Sequence, residues 1–151
     1  MRLVVMLALV ILTAPLAAEA QPPTKVYRIG WLSPRPPSQP GPTVGALRQG
    51  LHDLGYVEGQ NLVIESRYAE GREERLPDLA AELVRLQVDV IVADAALATR
   101  VAQHATRTIP IVMAGIADPV EQGLIASLAQ PEGNTSPFPR PVLFQADEVI
   151  K

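Results

Sequence analysis

The sequence predicts an α/β fold with a Rossmann-like, flavodoxin-like parallel sheet. Three observations carry this. Short apolar, β-branched runs alternate with segments of helical periodicity four times in series, as β-α units joined by crossovers require. One run, Val88–Ala93 (VDVIVA), is almost continuously apolar, as in a strand buried on both faces. At 151 residues the chain holds one such domain but not a closed eightfold barrel.

The elements follow in order. Val26–Leu32 (VYRIGWL) is a strand, with Tyr27, Ile29 and Trp31 on alternate positions. Pro34–Pro42 is a loop. Thr43 is placed to cap a helix with Val44, Leu47, Leu51 and Leu54 on its inner face, and Gly55 stops it. Gly59 lies in the next turn. Asn61–Tyr68 is the second strand, and Glu74–Gln87 a helix with Leu76, Leu79, Ala80, Leu83 and Leu86 as its stripe. Pro77 is compatible with that helix only in its first turn. Val88–Ala93 is the third strand, Ala95–Ala105 a helix, and Ile109–Ala114 (IPIVMA) the fourth strand. Asp118-Pro119-Val120-Glu121 then combines a cap, a first-turn proline and a capping-box acid. These signals predict a helix with Val120, Leu124, Ile125 and Leu128 inward, ended by Pro131 and Gly133.

Composition narrows the chemistry. Hydrophobic residues make up 48%, so a packed core is expected rather than disorder. The net charge of −3 argues against a nucleic-acid surface, which needs clustered Lys and Arg. With no cysteine there is no disulfide, thiol nucleophile, thiolate zinc site or lipidated cysteine. No strand ends in a glycine-rich phosphate cradle, so no nucleotide cofactor is expected. His52 and His104, the two histidines, both fall on helices without metal-ligand spacing. No catalytic set of nucleophile and base is visible, and neither a metal nor a cofactor is expected. Glu70, Glu73 and Glu74 read as a solvated helix start that complements the helix dipole.

In an open parallel sheet, ligands bind beyond the carboxyl ends of the strands. The candidate loops are therefore Ser33–Pro37, Ala69–Gly71, Asp94–Ala96 and Gly115–Asp118. At the start of the chain, Met1–Ala20 reads as an export signal. A basic start is followed by the aliphatic run Leu3–Leu12, then Pro15 and Ala18-Glu19-Ala20. Cleavage after Ala20 would leave Gln21 first on a periplasmic protein without a lipid anchor. The apolar run is too short to span a bilayer.

The chain from Tyr27 to Asn134 resembles the ABC transporter substrate-binding family of tryptophan/tyrosine-type uptake proteins. The resemblance rests on Y-R-I-G-W-L-S at the first strand and L-R-Q-G-L-H-D-L-G-Y-V-E-G-Q-N-L-V-I-E-S-R-Y-A-E-G at Leu47–Gly71. It continues in L-P-D-L-A-A-E-L-V-R-L-Q-V-D-V-I-V-A at Leu76–Ala93. It ends in I-P-I-V-M-A-G-I-A-D-P-V-E-Q-G-L-I-A-S-L-A-Q-P-E-G-N at Ile109–Asn134. It implies the first lobe of a type I periplasmic-binding fold, in which two lobes close on a small solute such as an amino acid. A permease and its ATPase are the implied partners. The implied ligand-binding positions are Ser33, the segment Asp94-Ala95-Ala96, and Asp118.

Each of these residues has a plainer reading. Asp118 is also a helix cap, and Ser33 also a turn residue. Asp94 departs from the small polar run, such as Gly-Thr-Pro, that the family carries there. An acid at that point opposes a carboxylate on the helix dipole, or implies a different solute. After Asn134 the resemblance breaks. The stretch Pro141–Lys151 (PVLFQADEVIK) resembles the family's extreme C-terminus. The expected organisation is a signal peptide (1–20), one α/β lobe (21–134) and a C-terminal tail (135–151), joined by an internal deletion of the second lobe. Such a chain would bind solute weakly or not at all, and its exposed sheet edge could support a dimer. The alternatives are a non-functional deleted product, or the sensing domain of a regulator. The leader and the want of a helix-turn-helix ahead of Tyr27 weigh against a regulator.

Overall fold

The computed structural model describes residues 25–127 and 133–137. The expected leader with its cleavage point, Leu128, and the tail beyond Pro137 lie outside these residues.

Five parallel strands form one sheet: β1 (Tyr27–Ser33), β2 (Leu62–Tyr68), β3 (Val90–Asp94), β4 (Ile111–Ala114) and β5 (Thr135–Pro137). Their spatial order is β2-β1-β3-β4-β5. Registers are continuous, with Ile29 opposite both Ile64 and Val90, and Ile91 opposite Ile111. This is the doubly wound α/β arrangement that the alternating pattern predicts.

Period-two alternation divides the side chains between the two faces. One face carries Ile29, Trp31, Leu62, Val92 and Ala114. Helix α1 (Gly41–Asp53) covers it with Val44, Leu47 and Leu51. The other face carries Leu32, Ile91, Ala93 and Ile111. It is covered by α2 (Leu76–Arg85) through Leu76, Leu79, Ala80 and Leu83, and by α3 (Ala95–Ala105) through Ala98 and Ala102. Helix α2 comes so close to β1 that a Cβ on Gly30 would stand 3.1 Å from both Leu83 methyls.

Several boundaries depart from expectation, each for a local reason. Helix α1 starts at Gly41, ahead of Thr43, so Thr43 is not its cap. Pro42 sits in the first turn, where its fixed φ is already helical and its missing N–H has no carbonyl to serve. Leu54 lies past the helix end and is exposed rather than inward. Gly55 then turns the chain at φ +86°. A 3-10 turn, Glu73–Arg75, leads into α2. Strand β1 is shifted by one residue, adding Ser33 and leaving Val26 exposed. Strand β4 begins after Pro110, which has no N–H to give a neighbouring strand.

Two larger differences concern the end of the described chain. Asp118 starts a hydrogen-bonded turn, not a helix. Its Oδ1 accepts from the amides of Val120 (3.0 Å) and Glu121 (2.9 Å). Gly123, at φ +66°, ends the turn by accepting a conformation that a helix cannot continue through. Val120 is exposed, whereas Leu124 and Ile125 pack against Met113. The second difference is β5, which local pattern does not announce. Asn134 secures it: its Nδ2 donates to the carbonyls of Ile109 (2.6 Å) and Thr106 (3.3 Å), and its own carbonyl accepts from Ile111 N (2.7 Å).

Candidate functional site

The strand order reverses direction between β1 and β3: the chain leaves β1 toward β2 on one side and returns to β3 on the other. Loops diverging from such a switch point leave a crevice beyond the strand ends. Ser33 closes β1 and Asp94 closes β3. Alternation sets both on the face that carries Trp31 and Val92, so they meet. Ser33 Oγ donates to Asp94 Oδ2 at 2.9 Å, and both residues are fully or almost fully buried.

The four candidate loops are tied together at their bases. Ala69 N donates to Ser33 O (2.9 Å) and Gly71 N to Pro34 O (2.8 Å). Gly115 packs on Asp94, where an added Cβ would lie 2.8 Å from Oδ1. A buried carboxylate is costly unless hydrogen-bonded or paired. Here Asp94 has the Ser33 hydroxyl and the Arg35 guanidinium, whose Nε is 3.8 Å from Oδ2.

Asp94 is also the residue that precedes α3, yet its side chain makes no capping bond to the helix. Its carboxylate is turned instead toward Ser33 and Arg35. Ala95 follows at φ +76°, a left-handed conformation costing about 1–2 kcal/mol for a residue with a Cβ. Strain of this kind is retained where surrounding contacts impose it, and it concentrates at binding sites.

Of the expected positions, the structure thus gathers Ser33, Asp94 and Ala95. Asp118 lies in the fourth loop but is exposed and spends one carboxylate oxygen on its own turn. Arg35 falls within the candidate loop Ser33–Pro37 but was not singled out as a ligand position. A single cation between Pro34 and Pro36, two residues after the strand end, was the signal available. Elsewhere, Glu70 pairs with Arg72 and Arg75, and Glu73 and Glu74 are exposed. His52 and His104 are exposed helical residues, and His104 Nδ1 contacts the Arg100 carbonyl of its own helix. Among the described residues no group of three or more His, Asp or Glu is arranged to hold a metal ion, and no helix is long and apolar enough to cross a membrane.

The sequence and the fold have counterparts among known proteins. The model of the ABC transporter substrate binding protein family matches residues 41–136. The tyrosine-binding protein of Clostridioides difficile (strain R20291) is 36% identical over 88 residues, which is 58% of this chain and 26% of that protein. A ligand-free, open structure of a substrate binding protein with adhesive properties from Clostridium difficile superposes with a TM-score of 0.69 at 26% identity. The match covers 74% of this chain and 38% of that one. A Streptococcus pneumonia ABC domain in complex with L-Trp gives a TM-score of 0.62 at 26% identity, covering 75% of this chain and 38% of that one. The chain therefore spans well under half the length of these relatives, and the lobe it corresponds to is the first. With the family model matching residues 41–136, well over half of the chain, the chain belongs to the ABC transporter substrate binding protein family.

Proposed function

We propose that this lobe forms one wall of a cleft that captures an aromatic amino acid or a similar small solute for an ABC importer. The observation that carries the reading is the buried Ser33–Asp94 pair at the β1/β3 switch point, in a chain of this family. The tyrosine- and L-Trp-binding relatives support the solute class. Beside the pair, the first amides of α3 are left uncapped by Asp94, as suits a partner with acceptor oxygens. Asp118, whose Oδ1 is committed to its own turn, contributes to the rim of the cleft from the fourth loop.

A single wall buries only part of a solute, whereas small-molecule sites ordinarily bury most of it. Binding by the 151-residue chain is therefore weak, near millimolar at best (~4 kcal/mol). Titration of the whole labelled chain with L-tryptophan, followed by amide NMR, tests the reading. Shifts should concentrate at Ser33, Asp94–Ala96 and Gly115. Shifts spread elsewhere, or none, would refute it.

In the same reading Met1–Ala20 exports the chain, and a permease with its ATPase receives the solute. Residues 135–137 belong to the lobe as its last strand, and the stretch Pro141–Lys151 is the family's C-terminal segment, joined on after loss of the second lobe. Mass analysis of protein recovered from a periplasmic fraction should give a chain starting at Gln21. Two lobes could also associate through a sheet edge, and light scattering that stays monomeric at every concentration would dismiss that part.

A further inference from the structure

We propose that Arg35 reads a carboxylate on the solute, held in position by Asp94 and Ser33; this rests on the solute-binding reading above. The arrangement is layered. Asp94 lies at the bottom with a side chain 2% exposed, and Arg35 lies over it with a side chain 46% exposed. An acid at the end of β3 would by itself repel a carboxylate. Here the acid is turned toward the Ser33 hydroxyl and the guanidinium, and the cation is the member of the pair on the exposed side.

The guanidinium is confined without being consumed. Its separation from Asp94, 3.8 Å, is too long for a hydrogen bond. Its five N–H donors make no hydrogen bond to any described residue. A planar fork in that condition matches a carboxylate with two parallel bonds. Its root is fixed: Arg35 N donates to Ser33 Oγ (3.2 Å), Pro34 and Pro36 flank it, and Pro34 O holds Gly71 N. Its far side rests on Gly41, the first residue of α1, where a Cβ would stand 2.5 Å from Nη1. Three elements that diverge from the switch point thus converge on one cation.

The test uses the whole 15N-labelled chain and three probes: L-tryptophan, tryptamine, which lacks the carboxylate, and acetate. The readout is the Arg35 Nε–Hε resonance together with rim amides. L-tryptophan and acetate should both move that resonance, and tryptamine should not. Arg35→Gln should weaken L-tryptophan about 10-fold or more, as loss of a charged hydrogen bond does, and leave tryptamine unchanged. Arg35→Lys should recover part of the loss. Asp94→Asn, which keeps the cation but loosens its seat, should narrow the preference for L-tryptophan over tryptamine.

An Arg35 resonance indifferent to both carboxylates would overturn the assignment, as would an Arg35→Gln variant equally weakened toward tryptamine. If L-tryptophan binds at the rim with Arg35 unmoved, the solute-binding reading survives and the assignment fails. If acetate moves Arg35 and L-tryptophan binds no better than acetate, the assignment stands and the amino-acid reading fails.

Discussion

Replacing Gly115 by alanine should damage the site and the fold together, by an amount the geometry allows to be divided. Gly115 sits at φ +67°, where a Cβ costs about 1–2 kcal/mol. The same Cβ would also lie 2.8 Å from Asp94 Oδ1, while its other neighbours, Ala95 N and Thr43 Oγ1, stand at an ordinary 3.9 Å. Asp94 is buried and cannot withdraw without surrendering its bond to Ser33. Losing a charged hydrogen bond costs about 1.5–3 kcal/mol. The expected total is about 2.5–5 kcal/mol. Gly55 supplies the control, because it has φ +86° and open space around its hypothetical Cβ. Gly55→Ala should cost about 1–2 kcal/mol from backbone conformation alone. In urea, with a slope of roughly 1.5 kcal/mol/M, the Gly115 variant should lose about 2–3 M in midpoint and the Gly55 variant about 1 M or less. Equal losses would show that Gly115 does not press on Asp94, and the packing assigned to the rim would be wrong.

Leu83→Ala should cost about 3 kcal/mol or more in urea unfolding, because Leu83 is fully buried against Gly30 and leaves a cavity. Leu54→Ala, equivalent by sequence spacing but exposed, should stay within about 0.5 kcal/mol; similar losses for both would contradict the end assigned to α1. Asn134→Ala should cost about 1–2 kcal/mol and speed hydrogen exchange at the Ile111 amide, which donates to the Asn134 carbonyl, more than at Ile91. Unchanged exchange at Ile111 would mean that β5 is held by something other than this side chain.

The core was legible because period-two and 3.6-residue patterns are local consequences of which face is buried. Trp31 and Leu32 could be assigned to opposite faces from spacing alone. What was not legible depends on contacts distant in sequence or on a single overriding residue. Three start signals at Asp118, Pro119 and Glu121 do initiate a turn, but Gly123 stops it. Strand β5 is three residues long and exists through its pairing with β4 and the Asn134 bonds. At the site, the loops that hold Ser33 and Asp94 could be proposed because strand ends line the rim of such sheets, and the two residues themselves were implied by the family resemblance. Their bond joins residues 61 positions apart, and no local pattern encodes it. Arg35 lies in a loop that could be proposed, Ser33–Pro37, but its place over Asp94 depends on a contact 59 positions away that no local pattern encodes.

The all-parallel order also shapes how this chain acquires its structure. No two neighbouring strands of the sheet are joined by a tight turn; even β3 and β4 are separated by the whole of α3. A hairpin cannot form early and serve as a template, so loop-closure entropy is met before any ladder bond rewards it. Refolding should consequently be governed by encounters between remote segments, slower than for a helical bundle of equal size. During that search, unpaired apolar strands such as β3 are open to the wrong partners.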